Sequence, residues 1–181
     1  MWKSITSLLA ISLLTSCTNY QAESFTVNSV DVYAAESHVS SQVQVAPLSA
    51  DSPGQNSIFC RGLNKAVYLP NKTTFVHYIE DALKSTLIQA NRYNEQATNQ
   101  LRGTITLVDF NTTAGRWHLV GKFNINNSIP VTIDGVYSFP SAWDNELACQ
   151  NAAAAFNQAV GNFIHDIFAE PKLQSALKNT V

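Results

Sequence analysis

The chain of 181 residues carries 11 Lys and Arg against 13 Asp and Glu, so its formal net charge at pH 7 is -2. The Lys and Arg residues are scattered singly, which leaves no basic surface for a nucleic-acid partner. Hydrophobic residues make up 45% of the chain and charged residues only 13%, a balance that suits a packed domain and excludes wholesale disorder.

The N-terminal segment, residues 1–16, reads MWKSITSLLAISLLTS and places Lys3 before a run of Leu, Ile and Ala. The apolar part, from Ile5 to Leu14, is roughly half the length of about 20 residues that a membrane-spanning helix needs. A positive charge followed by a short apolar run is typical of a secretory signal peptide. A short buried helix is the other interpretation.

The tetrapeptide Leu14-Thr15-Ser16-Cys17 resembles the lipobox of bacterial lipoproteins. The resemblance implies cleavage before Cys17, a diacylglycerol group on its sulfur, and a further acyl chain such as palmitate on its new amino group. Two or three acyl chains hold a protein at a membrane stably, whereas one holds it only marginally. Thr18 stands where an Asp would favour the inner membrane, so the expected location is the outer membrane.

Residues 18 to about 57 are polar and include SADSPGQNS, which is typical of a loop. Alternating apolar residues at Val30 and Val32, and again at Val43 and Val45, predict edge strands or a hairpin. An extended tether that lifts the domain off the membrane is an equal alternative. The predicted organisation is a signal peptide at 1–16, a lipidated N-terminus with tether or edge strands at 17–57, and a globular domain at 58–181.

A helix is predicted within LPNKTTFVHYIEDALKSTLIQANRY, because apolar residues recur there at helical spacing. Asn71 or Thr73 is expected to cap its N-terminus, and Asn91 suits its C-terminal turn. Three strand-like runs follow, namely LRGTITLVDF, RWHLVGKFNIN and IPVTIDGVYSF. The second run alternates, so that Trp117 and Leu119 share one face and His118 the other. Short turn-rich connections predict an antiparallel meander with one covered face.

A long helix is predicted from about Asn145 to Phe168, with Leu147 at the start of its apolar stripe, and Pro171 ends it. A short helix with Leu173 and Leu177 is expected to follow. The order α-β-β-β-α predicts an α+β fold, in which two amphipathic helices pack on one face of a three- to five-stranded antiparallel sheet.

Cys60 and Cys149 remain as a pair once Cys17 is assigned to the lipid, and an even number of cysteines suits an oxidising compartment. Cys60 precedes the first predicted helix and Cys149 lies in the first turns of the last one, so helices packed side by side would bring them close. We therefore hypothesise a Cys60–Cys149 disulfide. Two buried free thiols are the alternative.

Residues that could carry out chemistry are dispersed. His38, His77, His118 and His165 fall in four different elements without the spacing of a metal site, although His77 lies four residues before Asp81 and His165 adjoins Asp166. The sequence contains no G-x-S-x-G, P-loop or G-x-G-x-x-G motif. No catalytic, cofactor-binding or metal site is predicted.

Two aromatic residues and a carboxylate pair invite a functional interpretation. Trp117 with Arg116 could line a binding surface, but a core anchor is the favoured interpretation of Trp117. Trp143 is expected to be half exposed in the loop before the last helix. Asp109 and Asp134 could face each other across neighbouring strands, which is weak evidence for acid–base chemistry.

The segments FCRGL, TFVHYIEDALKSTL, LRGTITLVDFNTTAGRWHL, YSFPSAW, ACQNAAAAFNQAVGNFI and EPKLQSAL resemble a group of uncharacterised proteobacterial outer-membrane lipoproteins. The match covers about residues 58–177, and the architecture is similar to that of YajG-like lipoproteins and of auxiliary lipoproteins of envelope transport systems. The resemblance supplies no catalytic residues, and it strengthens the pairing of Cys60 with Cys149. Likeness at the level of the fold supports function only weakly.

These observations favour a non-enzymatic envelope lipoprotein, held at the outer membrane through lipid on Cys17 and facing the periplasm, with an envelope protein as its possible partner. A small-molecule or lipid-binding carrier is the alternative. A continuous apolar cavity would favour the carrier and a filled core the accessory protein, whereas an enzyme requires a cleft with converging titratable groups.

Overall fold

The computed structural model describes residues 20–178. The predicted signal peptide and Cys17 lie outside the described residues. Within these residues the chain forms an α+β fold, as predicted, but with four α-helices and two sheets rather than two amphipathic helices on a single sheet. Its helices are α1 (Ser29–His38), α2 (Phe75–Gln89), α3 (Asn145–Ala169) and α4 (Pro171–Lys178), and its strands are β1 (Tyr20–Gln21), β2 (Val43–Val45), β3 (Ser49–Ala50), β4 (Ser57–Phe59), β5 (Ala66–Tyr68), β6 (Asn99–Asn111), β7 (Arg116–Ile125) and β8 (Val131–Ser138).

The larger sheet is built on the predicted antiparallel meander of β6, β7 and β8. β2 and β3 add to the outer side of β6, but both pair with it in parallel, so the sheet is mixed rather than antiparallel throughout. Parallel neighbours require a long crossover connection. Residues 51–98, which contain α2, supply that connection between β3 and β6.

The helices cover one face of this sheet. Alternation along β7 buries Trp117, Leu119 and Phe123 against the helices, and α3 presents Phe156 and Phe163 to them. The N-cap of α2 is Thr74, whose hydroxyl accepts a hydrogen bond from the His77 amide at 3.3 Å. The prediction of Asn71 or Thr73 as the cap is therefore wrong by one residue or more.

Polar residues lie at the end of α2 and at the start of α3, close to Leu147, which the sequence assigns to a buried stripe. Asn91 follows α2 in the left-handed region, with a φ of 53°, and asparagine tolerates that conformation at a helix end. Asp144 caps α3 by accepting a hydrogen bond from the Leu147 amide at 2.7 Å. Leu147 itself is about half exposed. Its assignment to the buried stripe is wrong, because the first turn of α3 does not bury this position.

The predicted strand at Val30 and Val32 is instead helix α1, and residues 20–57 pack on the domain rather than forming an extended tether. Asn28 caps α1 by accepting a hydrogen bond from the Asp31 amide at 2.9 Å, which favours a helix over a strand. The buried positions Asp31, Ala34 and Ala35 have helical spacing. The prediction of a strand at Val43 and Val45 is confirmed by β2.

A second, three-stranded sheet in the order β1-β5-β4 receives the N-terminus of the described chain. Tyr20 pairs with Val67 in parallel register. Shortly after β1 along the chain, the Tyr78 hydroxyl donates a hydrogen bond to the Glu23 carbonyl, and the Asn157 side chain donates one to the Ser24 carbonyl, both at 2.9 Å. The domain therefore begins no later than Tyr20, not at residue 58. No helix within residues 20–178 combines the length and the apolar character needed to cross a membrane.

Candidate interaction surface

The face of the larger sheet that the helices leave uncovered is the candidate interaction surface. Alternation along β6, β7 and β8 directs polar side chains to this side. We call it the open sheet face and define it by the outward-pointing residues Arg102, Thr104, Asp109, Arg116, His118, Lys122, Thr132, Asp134 and Val136. It carries both signs of charge, so it suits a polar partner of mixed charge better than a nucleic acid.

His118 and Asp134 form an ion pair across β7 and β8, with 2.8 Å between His118 Nε2 and Asp134 Oδ1. Asp109 lies opposite His118 on the other neighbouring strand, β6. The expectation that Asp109 and Asp134 face each other across adjacent strands is wrong, because β7 separates β6 from β8. Both members of the pair are substantially exposed, and such pairs contribute little to stability.

Side-chain hydrogen bonds extend the open sheet face over the parallel strands. Gln100 on β6 donates to Gln44 on β2 at 3.1 Å, and Arg102 donates to the same Gln100 side chain at 2.7 Å. Ser49 on β3 and Thr104 on β6 share a hydrogen bond of 2.8 Å. The two bonds between strands are the kind of cross-strand pair that stabilises a sheet, and all three bonds restrict the positions of these polar side chains.

The two tryptophans of the described chain have opposite environments. Trp117 is 0% exposed, and its indole nitrogen donates a hydrogen bond to the Ala152 carbonyl at 2.8 Å. The favoured interpretation of Trp117 as a core anchor is therefore confirmed, while Arg116 points to solvent. Trp143 is fully exposed rather than half exposed.

The remaining histidines do not form a centre. His77 and Asp81 lie 3.5 Å apart on the exposed surface of α2, and His165 and Asp166 are separated by the same 3.5 Å on α3. His38 lies in the last turn of α1. Among residues 20–178, no three His, Cys, Asp or Glu side chains are grouped so that they could bind a metal ion.

Cys60 and Cys149, the pair that the sequence predicts, are joined by a disulfide, with 5.9 Å between their Cα atoms and a sequence separation of 89. Both cysteines are buried. The bond ties the loop after β4 to the second turn of α3. The disulfide therefore links the three-stranded sheet to α3, the long helix that covers the larger sheet.

Asp31 on α1 is a buried acidic residue whose burial no local sequence pattern predicts. This residue is 2% exposed, and its Oδ2 atom has no hydrogen-bond partner among the described residues. A Cβ atom added to Gly161 on α3 would lie only 2.8 Å from that oxygen, so α3 approaches α1 closely here. Burial raises the pKa of Asp31 above its ordinary value of 3.8, and the nearby His165 partly opposes this effect.

Replacing Asp31 with asparagine should remove a pH dependence of stability. A raised pKa in the folded state means that folding favours the protonated carboxyl. The contribution of Asp31 to the free energy of unfolding of the wild type is therefore greatest below pH 3.8 and falls as pH rises through the folded-state pKa. The Asp31→Asn variant should therefore gain stability relative to the wild type as pH increases. Urea unfolding measured from acid to neutral pH tests this, with Asp134→Asn on the open sheet face as the exposed control. Parallel pH profiles for wild type and Asp31→Asn would contradict it.

Two spaces of very different size lie beside α4. An enclosed apolar cavity of about 20 Å³ lies beneath α4, between Leu87, Leu101 and Phe168. A wide groove of about 660 Å³ runs on the surface between the β7–β8 turn and α4, with Ile129 and Lys172 on its sides. The enclosed space is too small for anything larger than water, since small-molecule pockets hold about 300–1,000 Å³.

One solved structure has a similar fold. The crystal structure of protein XCC0632 from Xanthomonas campestris, assigned to the family DUF330, is similar over 91% of this chain and 100% of its own, with a TM-score of 0.59 and 16% sequence identity. At this identity the likeness shows a shared fold. No protein-family model matches the chain, and no curated protein does.

Proposed function

We propose that this chain is a lipid-anchored protein of the bacterial cell envelope, held at the outer membrane by acyl chains on Cys17 and facing the periplasm. Its domain serves as a non-enzymatic accessory or interaction module for another envelope protein. The lipobox-like tetrapeptide before Thr18 supports the anchor, and the Cys60–Cys149 disulfide agrees with an oxidising compartment.

The filled core is the observation that carries the accessory role. In the part of the chain that the structure describes, the space between sheet and helices is occupied by side chains such as Trp117, Phe123 and Phe156. The enclosed cavity of about 20 Å³ has room for about one water molecule. Recognition is therefore left to the outer surface, where the open sheet face presents ordered polar groups of both charges.

Dispersed titratable groups support a non-enzymatic role. His118 pairs with Asp134 on an open surface, while His77 and His165 lie on separate helices. General acid–base catalysis requires groups positioned around one substrate, usually in a site that excludes water. The histidine and carboxylate pairs of the described chain are exposed to solvent and separate from one another.

A cross-linking experiment in native envelopes tests both parts of the proposal. A photo-reactive amino acid is placed at Thr132 on the open sheet face, and membrane fractions are irradiated and analysed by mass spectrometry. We expect one stoichiometric protein partner and a mature chain whose Cys17 carries acyl groups. A Cys17→Ala chain without residues 1–16 should leave the membrane fraction and lose most of the cross-linked product, because it has no acyl chains to hold it there.

The matched control carries the photo-reactive residue at Tyr33, which is exposed on α1, on the helical side of the domain. This position should give no stoichiometric product. A Cys17→Ala chain that has lost residues 1–16 and still stays with the membranes would refute the lipid anchor. Equal cross-linking from Tyr33 and Thr132, or none from Thr132, would refute the open sheet face as the interaction surface.

A lipid or small-molecule carrier is the second candidate, and the surface groove between the β7–β8 turn and α4 favours it. The groove has a volume of about 660 Å³ and is lined in part by Ile125, Ile129 and Pro171. It is open to solvent along its length, unlike the pockets that enclose most of a ligand. A stoichiometric lipid that copurifies with the chain would favour the carrier over the accessory module.

A further inference from the structure

The described chain begins beside the first turn of α3. Tyr20 pairs with Val67, and the Lys65 Nζ atom lies 5.6 Å from the centre of the Tyr20 ring. The same Nζ atom donates a hydrogen bond of 2.6 Å to Glu146 on α3. These contacts place the N-terminus of the described chain at one end of the domain, which we call the anchor end and define by residues 59–65 and 143–147.

The attachment point predicted at Cys17 lies three residues before Tyr20. An extended chain spans at most about 3.6 Å per residue, so a connection of no more than about 11 Å separates the predicted attachment point from Tyr20. Acyl chains buried in a bilayer from that position hold the anchor end at the membrane. The short connection leaves the domain little room to turn a different end towards the lipid.

The anchor end exposes large apolar side chains. Trp143 is fully exposed in the loop before α3, Leu147 is half exposed one turn later, and Phe59 is 70% exposed. Phe59 immediately precedes Cys60, and the disulfide joins Cys60 to Cys149 close to Leu147. Tryptophan favours the boundary between lipid headgroups and acyl chains, because its ring is apolar and its N–H group needs a polar partner.

Charge at the anchor end does not oppose contact with lipid. Arg61 and Lys65 balance Asp144 and Glu146, so the two segments together carry no net charge. Lys65 and Glu146 are already paired with each other, and Asp144 caps α3. Apolar contact, rather than attraction to anionic lipid, is therefore the expected basis of binding.

We infer that the anchor end rests on the phospholipid bilayer, with Trp143 inserted at the headgroup boundary beside the lipidated Cys17. This inference rests on the proposed lipid anchor and deepens it by fixing the orientation of the domain. α3 has 25 residues and runs about 37 Å away from this end. Ile129 and α4 at the opposite end therefore point away from the membrane, and the open sheet face stands upright along the bilayer normal.

Tryptophan quenching in vesicles tests the orientation. The full mature chain is purified from membranes, its mass is measured for lipid on Cys17 and for loss of residues 1–16, and it is reconstituted in phosphatidylcholine vesicles that contain brominated lipid. We expect Trp143 to show a blue-shifted emission and a loss of intensity on bromination. The Trp143→Phe variant should show almost no loss, since it reports only Trp117, which is 0% exposed.

The matched control moves the tryptophan to the other end of the domain. Ile129 is 87% exposed, so Ile129→Trp in the Trp143→Phe background should be tolerated and should not be quenched. If Cys17 carries lipid, two results would overturn the orientation alone. One is that Trp143 is not quenched, and the other is that tryptophans at positions 143 and 129 are quenched equally. A mature chain without lipid on Cys17 would overturn both the proposed anchor and this inference.

Discussion

Replacing Trp117 with alanine should lower the free energy of unfolding by about 3–5 kcal/mol, the usual cost of removing a large aromatic side chain from a core. The Trp117 ring lies 4.7 Å from the ring of Phe156 and 4.8 Å from that of Phe110, measured between centroids. Its indole nitrogen also bonds the Ala152 carbonyl. The substitution thus removes contacts with β6 and α3 at once. Urea unfolding followed by circular dichroism measures the loss.

Trp143→Ala is the matched control, because it removes the same side chain from a fully exposed position. Its effect on the free energy of unfolding should stay within about 0.5 kcal/mol. If the two variants lost similar stability, Trp117 would not be the anchor of the core. If Trp117→Ala lost less than about 1 kcal/mol, the packing of α3 on β7 would have to differ from the structure.

Replacing both Cys60 and Cys149 with alanine should destabilise the domain by about 2–5 kcal/mol. The disulfide closes a loop of 89 residues, and the chain-entropy model gives a loop of this size about 4.6 kcal/mol as an upper value. For a chain of this length, each kcal/mol lowers the midpoint of thermal unfolding by about 2–4 °C. Calorimetry of the wild type and the double variant measures the difference.

Reduction of the wild type supplies the control for this prediction. Reductant should bring the midpoint of the wild type close to that of the double variant, while leaving the double variant unchanged. Mass spectrometry after alkylation without reductant should show no label on Cys60 or Cys149. Labelling of both thiols in the oxidised protein would contradict the disulfide, whatever the change in midpoint.

The main body of the fold could be predicted because its elements are long and have one covered face. α2, the β6–β7–β8 meander and α3 each carry a clear apolar period, and turns close the meander locally. α1 was missed because Val30 and Val32 alternate like a strand, whereas its buried positions include a charged residue, Asp31. The parallel pairing of β2 with β6 joins residues more than 50 positions apart, and no local pattern encodes such a partner.

In the candidate sites too, features set by a local sequence pattern could be predicted, and features set by long-range pairing could not. Alternation along β7 correctly placed Trp117 in the core and His118 outside it. The pairing of His118 with Asp134, and the separation of Asp134 from Asp109, depend on strand order and register. The anchor end was not predicted either, because Lys65, Glu146 and Tyr20 are far apart in sequence and meet only when α3 packs beside β1 and β5.

The contact between Asn157 and Ser24 joins the start of the domain to its last long helix, across 133 residues of sequence. A ribosome releases the N-terminal residues first, so β1 and α1 emerge long before α3, the element on which they pack. Contacts of such long range make folding slow, because the chain must close large loops before it gains their energy. Until α3 arrives, Tyr20, Ala34 and Ala35 remain uncovered, and the nascent chain has to be kept from aggregating throughout that interval.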